Sequence, residues 1–141
     1  MIEDNFDHLK LDNQLCFPVY VLSREIIKSY RPLLEDLDLT YPQYLVLLVL
    51  WETDHLTVNQ LGEKLHLDSG TLTPLLKRLE SKDLITRTRK KCDERSVEIA
   101  LREKGISLQA QACKIHQELT KKLDLTDEEL ILLKKIILKI Q

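Results

Sequence analysis

The stretch TVNQLGEKLHLDSGTLTPLLKRLESKDLITRTRKKCDERSVEIAL, running from Thr57 to Leu101, decides the fold. Thr57-Val58-Asn59-Gln60 has capping-box spacing, in which the Thr57 and Gln60 side chains can satisfy orphan helix amides reciprocally. Val58, Leu61 and Leu65 mark the buried side of the helix that follows. After Leu67, either Asp68 or Ser69 can cap a second helix, whose Leu72, Leu75, Leu76 and Leu79 fall at i, i+3, i+4 and i+7. Its opposite side carries Gly70, Thr71, Thr73, Lys77, Arg78 and Ser81, with Ser69 at its start. Small residues there let the backbone approach another molecule closely, hydroxyls can bond bases or phosphates, and the later Lys and Arg suit phosphates. Pro74 fits a helix best in its first turn, where its missing amide has no partner to lose. The bland alternative for this segment is an ordinary amphipathic surface helix.

The residues that follow weigh against that alternative. Leu84–Arg89 and Val97–Leu101 are short β-prone runs, with Val97, Ile99 and Leu101 alternating against Glu98 and Ala100. Lys90 to Ser96 form a polar tip between them. From Lys77 to Arg95 there are eight Lys or Arg against four Asp or Glu, a local net of +4 in a chain of net −2, which leaves −6 for the remainder. A basic island on an acidic chain is a local electrostatic footprint and not general stickiness for polyanions. A helix, a second helix with a bare polar face and a basic hairpin together predict a winged helix-turn-helix that binds duplex DNA. The candidate contacts are Ser69, Gly70, Thr71, Thr73, Lys77, Arg78, Arg87, Arg89, Lys90, Lys91, Asp93 and Arg95.

Asp68 to Leu79 and Asp93-Glu94-Arg95-Ser96-Val97 resemble the recognition helix and wing of the MarR family of bacterial transcription regulators. Asn13-Gln14-Leu15-Cys16-Phe17 and Thr40-Tyr41-Pro42-Gln43-Tyr44 resemble the thiol-based branch that includes the organic hydroperoxide resistance regulators. The resemblance covers nearly the whole chain. It implies an obligate homodimer on a pseudopalindromic operator, with recognition helices in successive major grooves and wing arginines in the flanking minor grooves. By position, Arg95 is the minor-groove residue and Asp93 the acid that orients it. Arg102 departs from the family pattern, which has Thr before the next helix, and that bears on a helix cap more than on DNA contact.

Length and composition agree with one compact unit. At 141 residues the chain can bury a real core. No apolar run approaches the ~20 residues needed to span a bilayer. Met1-Ile2-Glu3-Asp4-Asn5 is acidic and lacks the basic start of a signal peptide, so a cytoplasmic location is expected. The single domain, 1–141, divides into a winged helix-turn-helix over 40–102 and dimerisation helices over 1–36 and 103–141, giving a mainly α-helical fold with a small β-wing. Leu15, Val19, Leu22 and Ile26 recur at heptad-like spacing near one end. At the other, Leu108, Ala112, Ile115 and Leu119 recur, and Thr126 with Glu129 repeats the capping-box pattern. The terminal helix then places Leu130, Leu133, Ile137 and Ile140 on one side, with Leu132, Ile136 and Leu138 spilling around it. A short helix apolar over so much of its circumference needs more than one neighbour. Periodicity alone leaves core packing and dimerisation open; the resemblance implies dimerisation.

Three cysteines in a chain of this kind do not make a disulfide framework. Cys16 lies near the start of the first long helix, where unpaired amides and the helix dipole favour a thiolate, although Pro18 also prefers that first turn. On a continuous helix Cys16, Tyr20, Ser23, Ile27 and Tyr30 share a face. Tyr20 is one turn from Cys16, but Tyr30 is 14 residues on, ~21 Å along the axis, and can meet only a Cys16 from another subunit. In the family pattern tyrosine hydroxyls of the partner subunit hydrogen-bond the reactive thiolate, and the matching positions are Tyr30 and Tyr41, with Tyr20 nearby. Phe17 and the surrounding Leu and Val residues supply an apolar approach for an organic hydroperoxide.

Two-cysteine members of this branch trap the first Cys with a second one late in the long helix after the wing. Cys113 sits about two turns before that place. A low-molecular-weight thiol capping Cys16 is therefore expected, with Cys113 as the alternative resolving thiol. Cys92, in the wing, is read as incidental. His8, His55, His66 and His116 show no paired ligand spacing, and no metal or cofactor is expected. Trp51 closes an apolar run from Tyr44 and reads as core. The reading is a repressor that releases its operator when an organic hydroperoxide oxidises Cys16. The alternatives are a repressor answering a reversible phenolic ligand and, against the basic segment, a thiol peroxidase.

Overall fold

A computed structural model describes residues 6–141. Met1–Asn5, on which the expected location rests, lies outside the described residues. After short 3-10 turns at Phe6–Leu9 and Leu11–Asn13 come α1 (Phe17–Glu35), α2 (Tyr41–Glu52), β1 (Leu56–Thr57), α3 (Val58–Leu65) and α4 (Ser69–Ser81). The hairpin β2 (Ile85–Lys90) and β3 (Asp93–Leu101) follows, then α5 (Glu103–Ser107), α6 (Gln109–Leu123) and α7 (Asp127–Ile140). The fold is mostly helical with a small sheet, as expected, in the winged helix-turn-helix arrangement of α3, α4 and the β2–β3 hairpin.

The helix starts follow from their caps. The Thr57 hydroxyl accepts from the Gln60 amide at 3.2 Å while the Gln60 side chain accepts from the Thr57 amide at 2.9 Å. Thr126 and Glu129 repeat the arrangement at α7, at 3.2 and 2.9 Å. A third capping box, Thr40 with Gln43, opens α2 and buries the Gln43 side chain. Helix ends use Asp38, His66, Asp83 and Asp124 at positive φ, where short polar side chains are tolerated in place of glycine. Gly62 serves close approach instead: a Cβ there would stand 2.6 Å from the Leu67 carbonyl oxygen in the turn between α3 and α4.

The core lies between α2, α3, α4 and the root of the sheet, where Val46, Leu47, Leu61, Leu72, Leu76, Leu79, Ile85 and Ile99 are fully buried. Leu34 joins it from the end of α1, and Ala112 and Ile115 from α6. Trp51 is only half-buried, and its indole N–H donates to the Gly105 carbonyl at 2.9 Å, tying α2 to α5. The outer helices differ. α7 buries none of its side chains within this chain, and Ile140 is 80% exposed. Along α1 and just before it, Val19 is 59% and Leu15 89% exposed. Among the described residues no helix is long and apolar enough to cross a membrane.

Three local expectations are corrected, and one strand, β1, is added. Pro74 sits at the sixth position of α4, in its second turn, where it removes the amide that would bond the Gly70 carbonyl; Pro32 is likewise inside α1. The polar tip is shorter than Lys90 to Ser96, because Lys90 pairs with Asp93 across a turn at Lys91-Cys92. The two-residue β1 joins the sheet in the order β1-β3-β2, through Leu56 opposite Ile99. Finally, the long helix after the wing is broken at Leu108 into α5 and α6, next to Ser107, whose hydroxyl donates back to the Lys104 carbonyl at 2.8 Å, a bond that bends helices.

Candidate nucleic-acid interface and thiol site

Asp68 fixes the start of α4. Its carboxylate accepts the Thr71 amide at 2.7 Å, and that bond holds its carboxyl below the usual range. Ser69, Gly70 and Thr71 are exposed on the first turn, and Lys77 and Arg78 further along, while Leu72, Leu76 and Leu79 hold the other side in the core. The Thr73 hydroxyl donates to the Ser69 carbonyl at 2.7 Å, so only its lone pairs remain for an outside donor. A recess of about 240 Å³ is lined by Thr57, Asn59, Ser69, Thr73, Arg95 and Ser96. It joins the starts of both helices to the wing. Asn59 is the residue the sequence reading missed here; its only signal was an exposed amide in the first turn of α3.

The wing is held by pairs that its charge count does not reveal. Arg87 donates through Nε to Glu80 at 2.9 Å, and its backbone amide reaches the same carboxylate at 3.3 Å. That contact keeps the Glu80 carboxyl low and ties Arg87 to α4, so Arg87 fastens the hairpin. Arg89, Lys90 and Lys91 are exposed. Lys90 lies 3.8 Å from Glu98, whose carboxylate also meets His55 at 3.2 Å. Between the pairs Arg89–Val97 and Lys90–Asp93 the register shifts, and Arg95 falls in that bulge, a device that re-aims a side chain. Asp93 accepts the Arg95 backbone amide at 3.0 Å and so shapes the bulge through the main chain. Arg102 donates to Asp83 at 2.8 Å and makes no side-chain cap on α5.

The thiol and its tyrosines are at opposite ends of α1. Cys16 is exposed at the N-cap, with Pro18 at the second helical position. Tyr20 is nearby, its ring under the Arg24 guanidinium at 5.4 Å. Tyr30, fourteen residues on along an unbroken helix, stacks on Tyr41 with ring centroids 4.6 Å apart. Tyr44 completes the cluster at 5.8 Å from Tyr30 and 6.5 Å from Tyr41, and meets Trp51 edge-on at 6.3 Å. Burial, then repulsion from the neighbouring phenols, pushes Tyr30 up to about 12, and burial raises Tyr41 and Tyr44 as well. All three phenols therefore stay neutral donors near neutral pH. The structure thus brings Tyr30 and Tyr41 together and keeps Tyr20 and Cys16 apart from them. Tyr44 escaped the sequence reading because it opens an apolar run and looks like core.

Cys113, on α6, faces the same cluster: Tyr30, Tyr44, Trp51 and Cys113 line one recess of about 530 Å³. Phe17 does not line it and stands exposed at the start of α1.

Comparison with known proteins agrees with this architecture. Residues 28–111 match the family of SarA/Rot transcriptional regulators. The chain is 59% identical over 114 residues to the organic hydroperoxide resistance transcriptional regulator of Bacillus subtilis, covering 81% of this chain and 78% of that one. Reduced AbfR bound to DNA, a protein of Staphylococcus epidermidis, superposes with a TM-score of 0.84 at 36% identity, over 94% of both chains. Disulfide-formed AbfR gives 0.66 at 35% identity, over 94% of this chain and 91% of that one.

Proposed function

The chain belongs to the MarR-type winged-helix transcriptional regulators, within the SarA/Rot family and related to the organic hydroperoxide resistance regulators, and from that premise we propose a DNA-binding repressor that releases its operator when Cys16 is oxidised. One observation carries the reading: Tyr30 and Tyr41 form a pair of neutral phenol donors ~21 Å along α1 from the chain's own Cys16. Such a pair suits a thiolate delivered by a second subunit. The exposed apolar residues of α1 and α7 supply the surface for that association.

In the reduced dimer, Tyr30 and Tyr41 of one subunit donate to the Cys16 thiolate of the other. The two α4 helices enter successive major grooves, about 34 Å apart, with Ser69, Gly70, Thr71 and Thr73 near base edges and Lys77 and Arg78 on phosphates. Arg95, aimed by its bulge, enters the flanking minor groove, and Arg89, Lys90 and Lys91 add to phosphate attraction. An organic hydroperoxide is attacked at its distal oxygen: an S–O bond forms, the O–O bond breaks, and the alcohol leaves. The resulting sulfenic acid alters charge and hydrogen bonding at the subunit interface and so the spacing of the two α4 helices. The described conformation lies nearer to DNA-bound reduced AbfR than to its disulfide form, which supports taking it as the DNA-holding state.

The test is Cys16→Ser against the unaltered protein on a duplex selected from a random pool. Both should bind when reduced, and cumene hydroperoxide should release only the unaltered protein, since a serine hydroxyl does not enter the sulfenic acid route. Release of Cys16→Ser by the oxidant would move sensing elsewhere in the chain. Turnover of hydroperoxide with a thiol reductant and no duplex binding would make the protein a peroxidase.

A further inference from the structure

We infer that Lys82, at the end of α4, is a positioning residue that carries the state of the Tyr30–Tyr41 pair to α4 through its bonds to Asp38 in the turn between α1 and α2. This role rests on Cys16 being the sensor, as proposed above. The Lys82 ammonium donates to the Asp38 backbone carbonyl and lies 3.3 Å from the Asp38 carboxylate. Its side chain is only 27% exposed, so the cation is held against its own chain. Asp38 is itself the left-handed residue that ends α1, and Lys82 thus caps that end from another element.

The turn that Lys82 grips lies between the two tyrosines. Tyr30 is within the last two turns of α1, and Tyr41 is the first residue of α2. Little slack separates them: Leu37 and Leu39 are buried, their amides donate to the Leu34 carbonyl at 3.0 and 3.1 Å, and the Thr40 amide donates to the Gln43 side chain at 3.1 Å. A change in how the two rings sit therefore displaces the Asp38 main chain instead of being absorbed by it. The end of α4 is just as firmly held, since the Lys82 carbonyl accepts from Lys104 at 3.0 Å and Asp83 accepts from Arg102 at 2.8 Å. At 13 residues α4 is ~20 Å long, so a shift at Lys82 tilts it in its apolar seat and moves Ser69, Gly70 and Thr71 at the far end. Apolar contacts between α2 and α4 allow small sliding, whereas an ammonium held by a carbonyl and a carboxylate is fixed in direction. The Asp38 carboxylate is exposed, so the ion pair adds little stability, and what it supplies is position.

The test compares the unaltered protein with Lys82→Met and Asp38→Asn on a duplex selected from a random pool, reduced and after cumene hydroperoxide, with Cys16 oxidation confirmed by intact mass. All three should bind when reduced, oxidise at Cys16 and melt within about 5 °C of one another. The loss of affinity on oxidation should shrink at least about threefold in Lys82→Met, the scale on which residues between two coupled sites act. It should shrink less in Asp38→Asn, which keeps the carbonyl acceptor. Coupling is reciprocal, so the duplex should also shift a glutathione exchange at Cys16 toward the free thiol in the unaltered protein, and shift it less in Lys82→Met. In that exchange the Cys16 thiolate attacks glutathione disulfide, one S–S bond forms as another breaks, and a glutathione thiolate leaves. A lysine with a merely structural role would weaken binding of reduced and oxidised protein alike. That result would overturn the tie while leaving Cys16 as sensor, as would an unchanged loss of affinity in Lys82→Met, or in Asp38→Asn should Lys82→Met not fold. If oxidation fails to release the unaltered protein, the sensing reading goes, and the tie with it.

Discussion

Arg95 and Arg87 stand on neighbouring strands of one hairpin and carry the same charge, yet their surroundings assign them opposite work. Arg95 is exposed in a bulge whose backbone Asp93 braces, whereas Arg87 is engaged by Glu80. Arg95→Ala should therefore weaken operator binding by about tenfold or more, in the range of a lost specific contact. Lys77→Ala should weaken binding to every sequence and reduce the salt slope by about one, as measured by fluorescence anisotropy from low to moderate salt. Arg87→Ala should leave that slope unchanged and lower stability by at most about 1 kcal/mol, since the pair is partly solvated. The tyrosines make a separate prediction. Because the folded value of Tyr30 lies above its ordinary 10, at about 12, the neutral phenol favours the fold. That stability is complete below pH 10 and lost as the pH rises toward 12, so the melting temperature should fall across that window. Tyr30→Phe should flatten the fall.

At the scale of elements, the helix-turn-helix is held by caps and by one close approach. Thr57→Ala removes the acceptor for the Gln60 amide and should cost about 1 kcal/mol in chemical denaturation. Gly62→Ala forces a Cβ against the Leu67 carbonyl in the turn that sets α4 relative to α3, and should cost about 1–3 kcal/mol while weakening operator binding. These two helices were legible because three signals coincide there: apolar spacing, capping side chains and a turn between them. Where only one signal exists the sequence misleads. β1 has two residues and no periodicity, so its pairing with β3 could not be read. Pro32 and Pro74 suggest boundaries, but tertiary packing carries the helices through them. Charge alone marks Arg87 as a DNA contact and does not reveal its bond to Glu80, which lies on another element. Tyr44 was hidden by the opposite effect, since α2 is apolar around its whole circumference and gives no face away.

At the scale of the whole molecule, the described chain is half of a working unit. Its polar recognition face, basic wing and apolar core are complete within one subunit, while the outer faces of α1 and α7 are not covered. A chain ending at Asp124 should accordingly sediment as a monomer and lose operator affinity; a dimer of unchanged strength would place the interface away from α7. Oxidation then divides into two schemes. If Cys16 is capped by a small thiol, as the position of Cys113 along α6 favours, non-reducing gels should show monomers before and after oxidant. A covalent dimer that disappears in Cys113→Ser would make Cys113 the resolving thiol, a result its place in the tyrosine-lined recess also allows. The trans arrangement itself is tested in a mixed dimer with Tyr30→Phe in one subunit and mass-distinguishable chains. Since α1 runs unbroken from Phe17 to Glu35, Tyr30 cannot fold back to its own Cys16. Loss of its hydroxyl should slow sulfenic acid formation chiefly in the unmutated chain. A defect confined to the mutated chain would mean that the thiolate and its phenol donors belong to one subunit, which the length of α1 forbids without a break near Pro18.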